Sequence, residues 1–201
     1  MNDQLSEVAF MRIAFFAFLL VASVSASAQV ASPVRTEDST QVLRIEMTIP
    51  ASVHDVWEAF TTNKGLSSWL APEVSVELKP GGDWLVKFPG STGGGTIVSF
   101  VPEQEIVISA LAPDRFPHVR TARTHAVFKF TSMGNGTLVS LTQTGWQRGA
   151  EWDAAYEYLA AGDAQILAML HHRFVAGPTD WQKEMSETAD KSAHSREGEK
   201  R

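Results

Sequence analysis

The spacing of apolar and polar positions changes in a fixed order along the chain. An almost unbroken apolar run, Ile13 to Val24, comes first, behind the single cation Arg12. Ala26-Ser-Ala28 then reads as a cleavage site of small residues. Twelve apolar residues make a signal-peptide core, whereas crossing a bilayer takes about 20. The pattern predicts an exported protein, periplasmic or secreted, that keeps no membrane anchor after cleavage of residues 1–28. Asp3 and Glu7 are acidic where a signal begins with positive charge, which predicts that translation starts at Met11. Residues 29–40 read as a polar linker. Residues 183–201 hold five acids and five bases among nineteen residues and read as a disordered or frayed tail.

Between these ends, residues 41–182 carry the folding pattern. Leu43, Ile45, Met47 and Ile49 alternate with polar residues and predict a half-buried strand. Ser52 precedes the helical stripe Val53, Val56, Trp57 and Phe60, with Asp55 completing a weak capping box. A second short helix is predicted over residues 65–70. About 70 residues of strand pattern follow. Trp84, Val86 and Phe88 share one face, as do Ile106 with Ile108, Phe128 with Phe130, and Val139 with Leu141. Residues 89–95, Pro-Gly-Ser-Thr-Gly-Gly-Gly, read as a flexible hairpin loop. They lack the lysine and following helix that a phosphate loop requires.

From Glu151 to Val175 the period is helical again, through Trp152, Tyr156, Leu159, Ile166, Leu170 and Phe174. Gly162-Asp163 at its centre predicts a kink or a break, with Asp163 capping the second half. Were Asp163 buried instead, its pKa would be raised and it would be the one acid–base candidate. Strand, two short helices, five or six antiparallel strands and a long helix make an α+β fold. One helix over a strongly twisted sheet readily leaves an apolar hollow beneath it.

Asp55-Val-Trp-Glu-Ala-Phe-Thr-Thr-Asn-Lys-Gly-Leu-Ser-Ser-Trp-Leu70, followed by Val76-Glu-Leu-Lys-Pro-Gly-Gly-Asp-Trp84, resembles the opening of the activator-of-heat-shock-ATPase homologue domains. The resemblance continues through Gly95-Thr-Ile-Val, Pro102-Glu-Gln-Glu-Ile-Val, the hairpin ending at Gly145, and Glu151-Trp152. These domains belong to the START-like, or SRPBCC, superfamily. The resemblance implies a helix-grip fold: a curved antiparallel sheet of six or seven strands wrapped around a long C-terminal helix. It also implies a superfamily of hydrophobic-ligand binders, polyketide cyclases and co-chaperones. Fold alone does not choose among these. A heat-shock ATPase is cytosolic, so the export pattern argues against it as partner.

Composition removes several chemistries. With no cysteine among 201 residues, there is no disulfide framework, thiol nucleophile or thiolate metal site. A net charge of −6 argues against nucleic acid. His171 and His172 are adjacent on a helix and point about 100° apart, which is not ligand spacing. No metal, cofactor or catalytic residue is assigned. The reading is a non-catalytic container for a hydrophobic or amphipathic small molecule, held between the sheet and the last helix. Its alternatives are a cyclase-like enzyme and a solid-cored interaction protein that acts through its surface as a homodimer. Large side chains with polar tips or apolar faces near the hollow are the ligand candidates: Trp69, Trp84, Phe88, Phe128, Trp146, Trp152, Tyr156 and Leu159. Residues 112–124 form a basic loop in an acidic domain, in which Arg115, Phe116, Arg120 and Arg123 are candidates for a lid.

Overall fold

The computed structural model describes residues 41–88 and 91–186, with backbone only at 88 and 91. The export segment, the linker and most of the charged tail lie outside the described residues. Seven strands form one antiparallel sheet: β1 (Leu43–Ile49), β2 (Glu73–Val76), β3 (Asp83–Phe88), β4 (Ser91–Val101), β5 (Glu105–Ala110), β6 (Thr124–Met133) and β7 (Gly136–Thr144). Their order is β1-β7-β6-β5-β4-β3-β2, so the first strand pairs with the last. Helices α1 (Val53–Thr61) and α2 (Asn63–Ser67) connect β1 to β2, α3 (Pro117–Ala122) lies between β5 and β6, and α4 (Ala150–Ala176) ends the fold. The α+β class, the curved sheet and the long C-terminal helix are those the sequence predicts.

Local chemistry sets the first corner. Ser52 Oγ accepts from the Asp55 amide at 3.1 Å and starts α1. Thr62 serves both short helices: its hydroxyl donates to the Glu58 carbonyl at 2.9 Å and accepts from the Gly65 amide at 2.9 Å. The helices meet so closely there that a Cβ on Gly65 would fall 2.1 Å from the Glu58 oxygen. Any larger residue must push them apart.

Register then determines which side chains face inward. Ile45 lies opposite Leu141, Leu141 opposite Phe128, and Phe128 opposite Ile106, so one row of large apolar side chains crosses four strands on the buried face. At the α1 end the core is aromatic. Phe60 sits 4.7 Å from Phe128, 5.0 Å from Trp84, 5.5 Å from Phe130 and 6.1 Å from Trp69, centroid to centroid.

Three sequence expectations are corrected. The glycine-rich run at 91–95 is the start of β4, not a loop. Gly94 and Gly95 are needed for close approach, since a Cβ on Gly95 would meet the Ser109 carbonyl at 2.2 Å and one on Gly94 the Trp84 carbonyl at 2.0 Å. The basic segment 112–124 is not all loop, because it contains α3. Finally, α4 is unbroken over 27 residues, so Asp163 caps nothing. A single interior glycine costs a helix only about 1 kcal/mol. The flanking Ala160, Ala161 and Ala164 are strong helix formers, and packing holds both ends of the helix.

Candidate functional site

Successive residues of a helix turn by 100°, which fixes the inward face of α4. Trp152, Tyr156, Leu167 and Leu170 are all buried, and each falls within about 40° of Asp163 around the helix axis. Asp163 is therefore at the centre of the stripe that faces the sheet. The turns before and after it are closed: Trp152, Ala155 and Tyr156 are buried on one side, Leu167 and Leu170 on the other. Between them Leu159, Asp163 and Ile166 keep part of their surface accessible. Leu159 and Ile166 pack against the core, with Asp163 half-buried between them.

The inner face of the sheet is correspondingly thin along one register row, where Gly95 pairs with Ala110 and Ala110 with Thr124. Beside that row lies a buried polar pair. Gln143, 2 % exposed, donates through Nε2 to Thr124 Oγ1 at 2.7 Å, while its Oε1 has no hydrogen-bond partner. A buried acceptor without a donor is uncommon in a finished core.

Asp163 is the chemically distinctive group. It enters no hydrogen bond or ion pair among the described residues, and desolvation alone pushes its carboxyl up to about 7. The carboxyl is thus poised between acid and carboxylate near neutral pH. Burial also raises the phenols of Tyr156 and Tyr158, the latter opposed by the nearby Arg115.

The predicted site residues divide into groups. Trp69 and Trp84 are buried, and their indole N–H groups donate to the Ala59 and Phe60 carbonyls at 2.9 Å each, so their polar tips are already engaged. Phe128 is buried against Phe60. Trp146, Trp152 and Tyr156 form a second aromatic group at the start of α4, with Trp146 5.0 Å from Tyr156 and 6.4 Å from Trp152. Trp146 donates to the Gln143 carbonyl at 3.1 Å, and the Tyr156 hydroxyl donates to the Val42 carbonyl at 3.3 Å. Leu159 is half-buried and packs against the core. The Phe88 side chain lies outside the described residues. Sequence reasoning missed Gln143 and Thr124 altogether. Gln143 was detectable, because it shares strand parity with Val139 and Leu141.

The lid candidates lie around α3, which is pinned to α4. Glu151, in the first turn of α4, accepts from the His118 amide at 2.8 Å and the Val119 amide at 3.3 Å, and it also pairs with the His118 ring. That pairing, foremost, holds the Glu151 carboxyl below its usual range. Phe116 is buried and packs 5.6 Å from Tyr158, with the Arg115 guanidinium 4.8 Å and 4.6 Å from the two ring centroids. Arg120 pairs with Asp114 at 2.9 Å, and Arg123 reaches the Ser109 carbonyl at 3.5 Å. Each cation is committed to the protein itself. Replacing Glu151 with alanine is expected to speed amide exchange at His118 and Val119 by about tenfold while exchange in β6 and β7 stays unchanged, a local opening that hydrogen-exchange mass spectrometry reads directly.

Elsewhere, an open depression of about 480 Å³ lies between Val53, Glu103 and Lys129. Among the described residues no group of three acids or histidines could hold a metal, and no helix is long and apolar enough to cross a membrane.

Residues 50–174 match the family model described as Activator of Hsp90 ATPase homolog 1-like protein. A search of curated protein sequences finds no match. Among solved structures the fold is similar to the Aha1 dimer of Colwellia psychrerythraea, with 20% identity, a TM-score of 0.57, and coverage of 68% of this chain and 97% of that one. It is also similar to CalU16 of Micromonospora echinospora, with 20% identity, a TM-score of 0.53, and coverage of 76% and 83%. The protein BH1534 of Bacillus halodurans matches at 18% identity with a TM-score of 0.54, covering 68% and 99%. At these identities the neighbours establish the fold, and the family model, which spans more than half of the sequence, establishes kinship. The chain belongs to the family of Activator of Hsp90 ATPase homolog 1-like proteins.

Proposed function

We propose that this chain is an exported binding protein that holds a hydrophobic or amphipathic small molecule between the sheet and α4, without transforming it. One observation carries the reading: the inward face of α4 is closed at both ends and accessible in the middle, at Leu159, Asp163 and Ile166. A solid core would bury that stretch as completely as its neighbours. An enclosed, mostly apolar space with a few polar groups is what small-molecule sites generally look like.

Native mass spectrometry of the protein purified from its own compartment tests this. A retained mass of lipid-like size is expected. A ligand-free protein that also takes up no neutral hydrophobic dye would leave the solid-cored reading in its place. Dimerisation would belong to either case and is read by light scattering. Amino-terminal sequencing of the native chain tests export, with a mature start at Gln29 expected.

A second reading, an enzyme of the cyclase-like kind, is favoured by Asp163, since a carboxyl near neutrality suits proton transfer. If a candidate substrate is turned over, the Asp163→Asn variant decides: unchanged turnover removes this reading.

A further inference from the structure

Two neighbouring hairpins of the sheet differ in length, and the difference leaves backbone groups unpaired. The chain turns between β4 and β5 at residues 102–104, so the pairing of β5 with β6 stops at Glu105, opposite Lys129. β6 runs on through residues 130–133, held from its other side by β7, where Met133 still pairs with Gly136. Successive residues of an antiparallel strand direct their N–H and C=O groups to opposite neighbours. The Phe130 amide donates to the Gln104 carbonyl at 2.9 Å, so Phe130 and Ser132 point theirs to the β5 side. The Gln104 amide turns away, to the Val101 carbonyl at 3.0 Å. The Phe130 carbonyl and both backbone groups of Ser132 therefore face an open edge, and among the described residues no strand lies beside it. Thr131, Ser132 and Met133 are exposed, and none of them is a charged residue or a proline, the usual guards of such an edge.

The open depression lies along this edge, with Gln104, Phe130, Thr131 and Ser132 in its wall. Val53 of α1 and Val101, which is 45 % exposed, supply apolar surface. Acids outnumber bases around it. Glu103 and Glu105 line it and Asp55 and Glu58 stand near His54, whereas the cations are Lys129 and His54 alone. Lys129 is paired with Glu105 at 3.4 Å and His54 with Glu103 at 2.7 Å, and pairs exposed to water exchange partners at little cost. We propose that this edge takes up an extended peptide segment of another protein as a short added strand, one in which apolar residues alternate with lysine or arginine. In strand addition the backbone hydrogen bonds, here to Phe130 and Ser132, supply affinity, and alternate side chains supply specificity. Trp57 of α1 packs 5.4 Å from the Phe130 ring, so α1 covers the inner side of the edge, and the apolar side chains of the segment face Val53 there. The cationic side chains lie on the outer side, beside Glu105. This surface is separate from the space under α4 and needs no molecule held there.

Three peptides, titrated into nitrogen-15-labelled protein, test this: acetyl-Val-Lys-Val-Lys-Val-amide, the same peptide with glutamate in place of lysine, and the lysine peptide methylated on its backbone nitrogens. The lysine peptide is expected to shift the Thr131 and Ser132 amide resonances, to leave those of α4 in place, and to bind about tenfold more tightly than the glutamate peptide. The gap should narrow as salt screens the exposed charges. Methylation removes the donors without altering the side chains and is expected to abolish binding. Ser132→Pro removes the edge amide without breaking a bond to β7 and is expected to do the same, with a melting temperature within a few degrees of wild type. A glutamate peptide that binds as tightly as the lysine peptide would overturn the proposal, as would a methylated peptide that binds equally well or a folded Ser132→Pro variant that still binds. If Ser132→Pro does not fold, the methylated peptide on the wild-type protein decides alone. Movement of the same amides with protein concentration, before any peptide is added, would mean that the edge takes a second copy of this chain instead, and a lack of response to all three peptides would equally remove the proposal.

Discussion

Replacing Phe60 with alanine is expected to lower the free energy of unfolding by about 4–5 kcal/mol, at the upper end for losing a large apolar side chain from a core. Phe60 is fully buried and lies within 4.7–6.1 Å of four other rings. Those rings cannot easily close over the gap. The Trp69 and Trp84 indoles are held by hydrogen bonds to the Ala59 and Phe60 carbonyls, and Phe128 and Phe130 are fixed by strand register. A site that cannot relax retains its cavity, and the cost grows with the volume retained. Phe116→Ala is expected to cost less, about 2–3 kcal/mol. It removes a ring that packs on one aromatic neighbour beneath a six-residue helix. Urea denaturation followed by tryptophan fluorescence measures both. A cost below about 2 kcal/mol for Phe60→Ala would mean that the aromatic end of the core repacks freely, and that it is not the solid part of the interior.

The contrast between the two ends of the interior bears on what could be read in advance. Strand parity separated Trp84, Val86, Phe128 and Phe130 from Lys87 and Lys129 correctly, because a period of two leaves no ambiguity once a strand exists. Parity gives the face and nothing more. It cannot tell a tryptophan that lines a hollow from one whose indole is bonded to a neighbouring helix, since that bond depends on where α1 and α2 land. Two errors came from trusting glycine as punctuation. Residues 89–95 read as a loop because glycines cluster there, yet 91–95 are strand, and at Gly94 and Gly95 neighbouring backbone comes within contact distance. Gly162 read as a break, yet a run of alanines and tertiary anchoring at both ends carry the helix through it. That second error made Asp163 a cap instead of a group on the inward stripe. The stripe Trp152, Tyr156, Leu159, Asp163, Ile166, Leu170 was present in the sequence, and an unbroken helix places the carboxyl on its inward side without further assumption.

Asp163→Asn is expected to stabilise the protein at alkaline pH and to leave it nearly unchanged in acid. In the folded chain the carboxyl titrates at about 7 because it is desolvated, whereas its ordinary value is 3.8. Well below pH 3.8 the group is protonated in both states and contributes no penalty. As pH rises from there, the unfolded chain releases the proton and the folded chain holds it, so unfolding becomes progressively more favourable. Above about pH 7 both states are ionised and the penalty is constant. The distance between the two values corresponds to roughly 4 kcal/mol at most, and water reaching the partly accessible side chain reduces it. The asparagine variant, which has no charge to desolvate, should therefore gain about 2–4 kcal/mol at pH 8, or roughly 6–15 °C in melting temperature. The gain should shrink to about half a kcal/mol near pH 4 and vanish below about pH 3. Glu151 works in the opposite sense: its folded pKa is lowered, so its contribution is present at neutral pH and lost as pH falls. The difference between wild type and variant cancels that background, as it does for every group the substitution leaves alone. A flat difference across pH 4–8 would mean that Asp163 ionises as freely inside the fold as outside it, which requires bulk water at the centre of α4. The space beneath the helix would then be an open channel, too wet to hold an apolar ligand. A steep difference means a dry space in which one carboxyl waits for a proton or a cation.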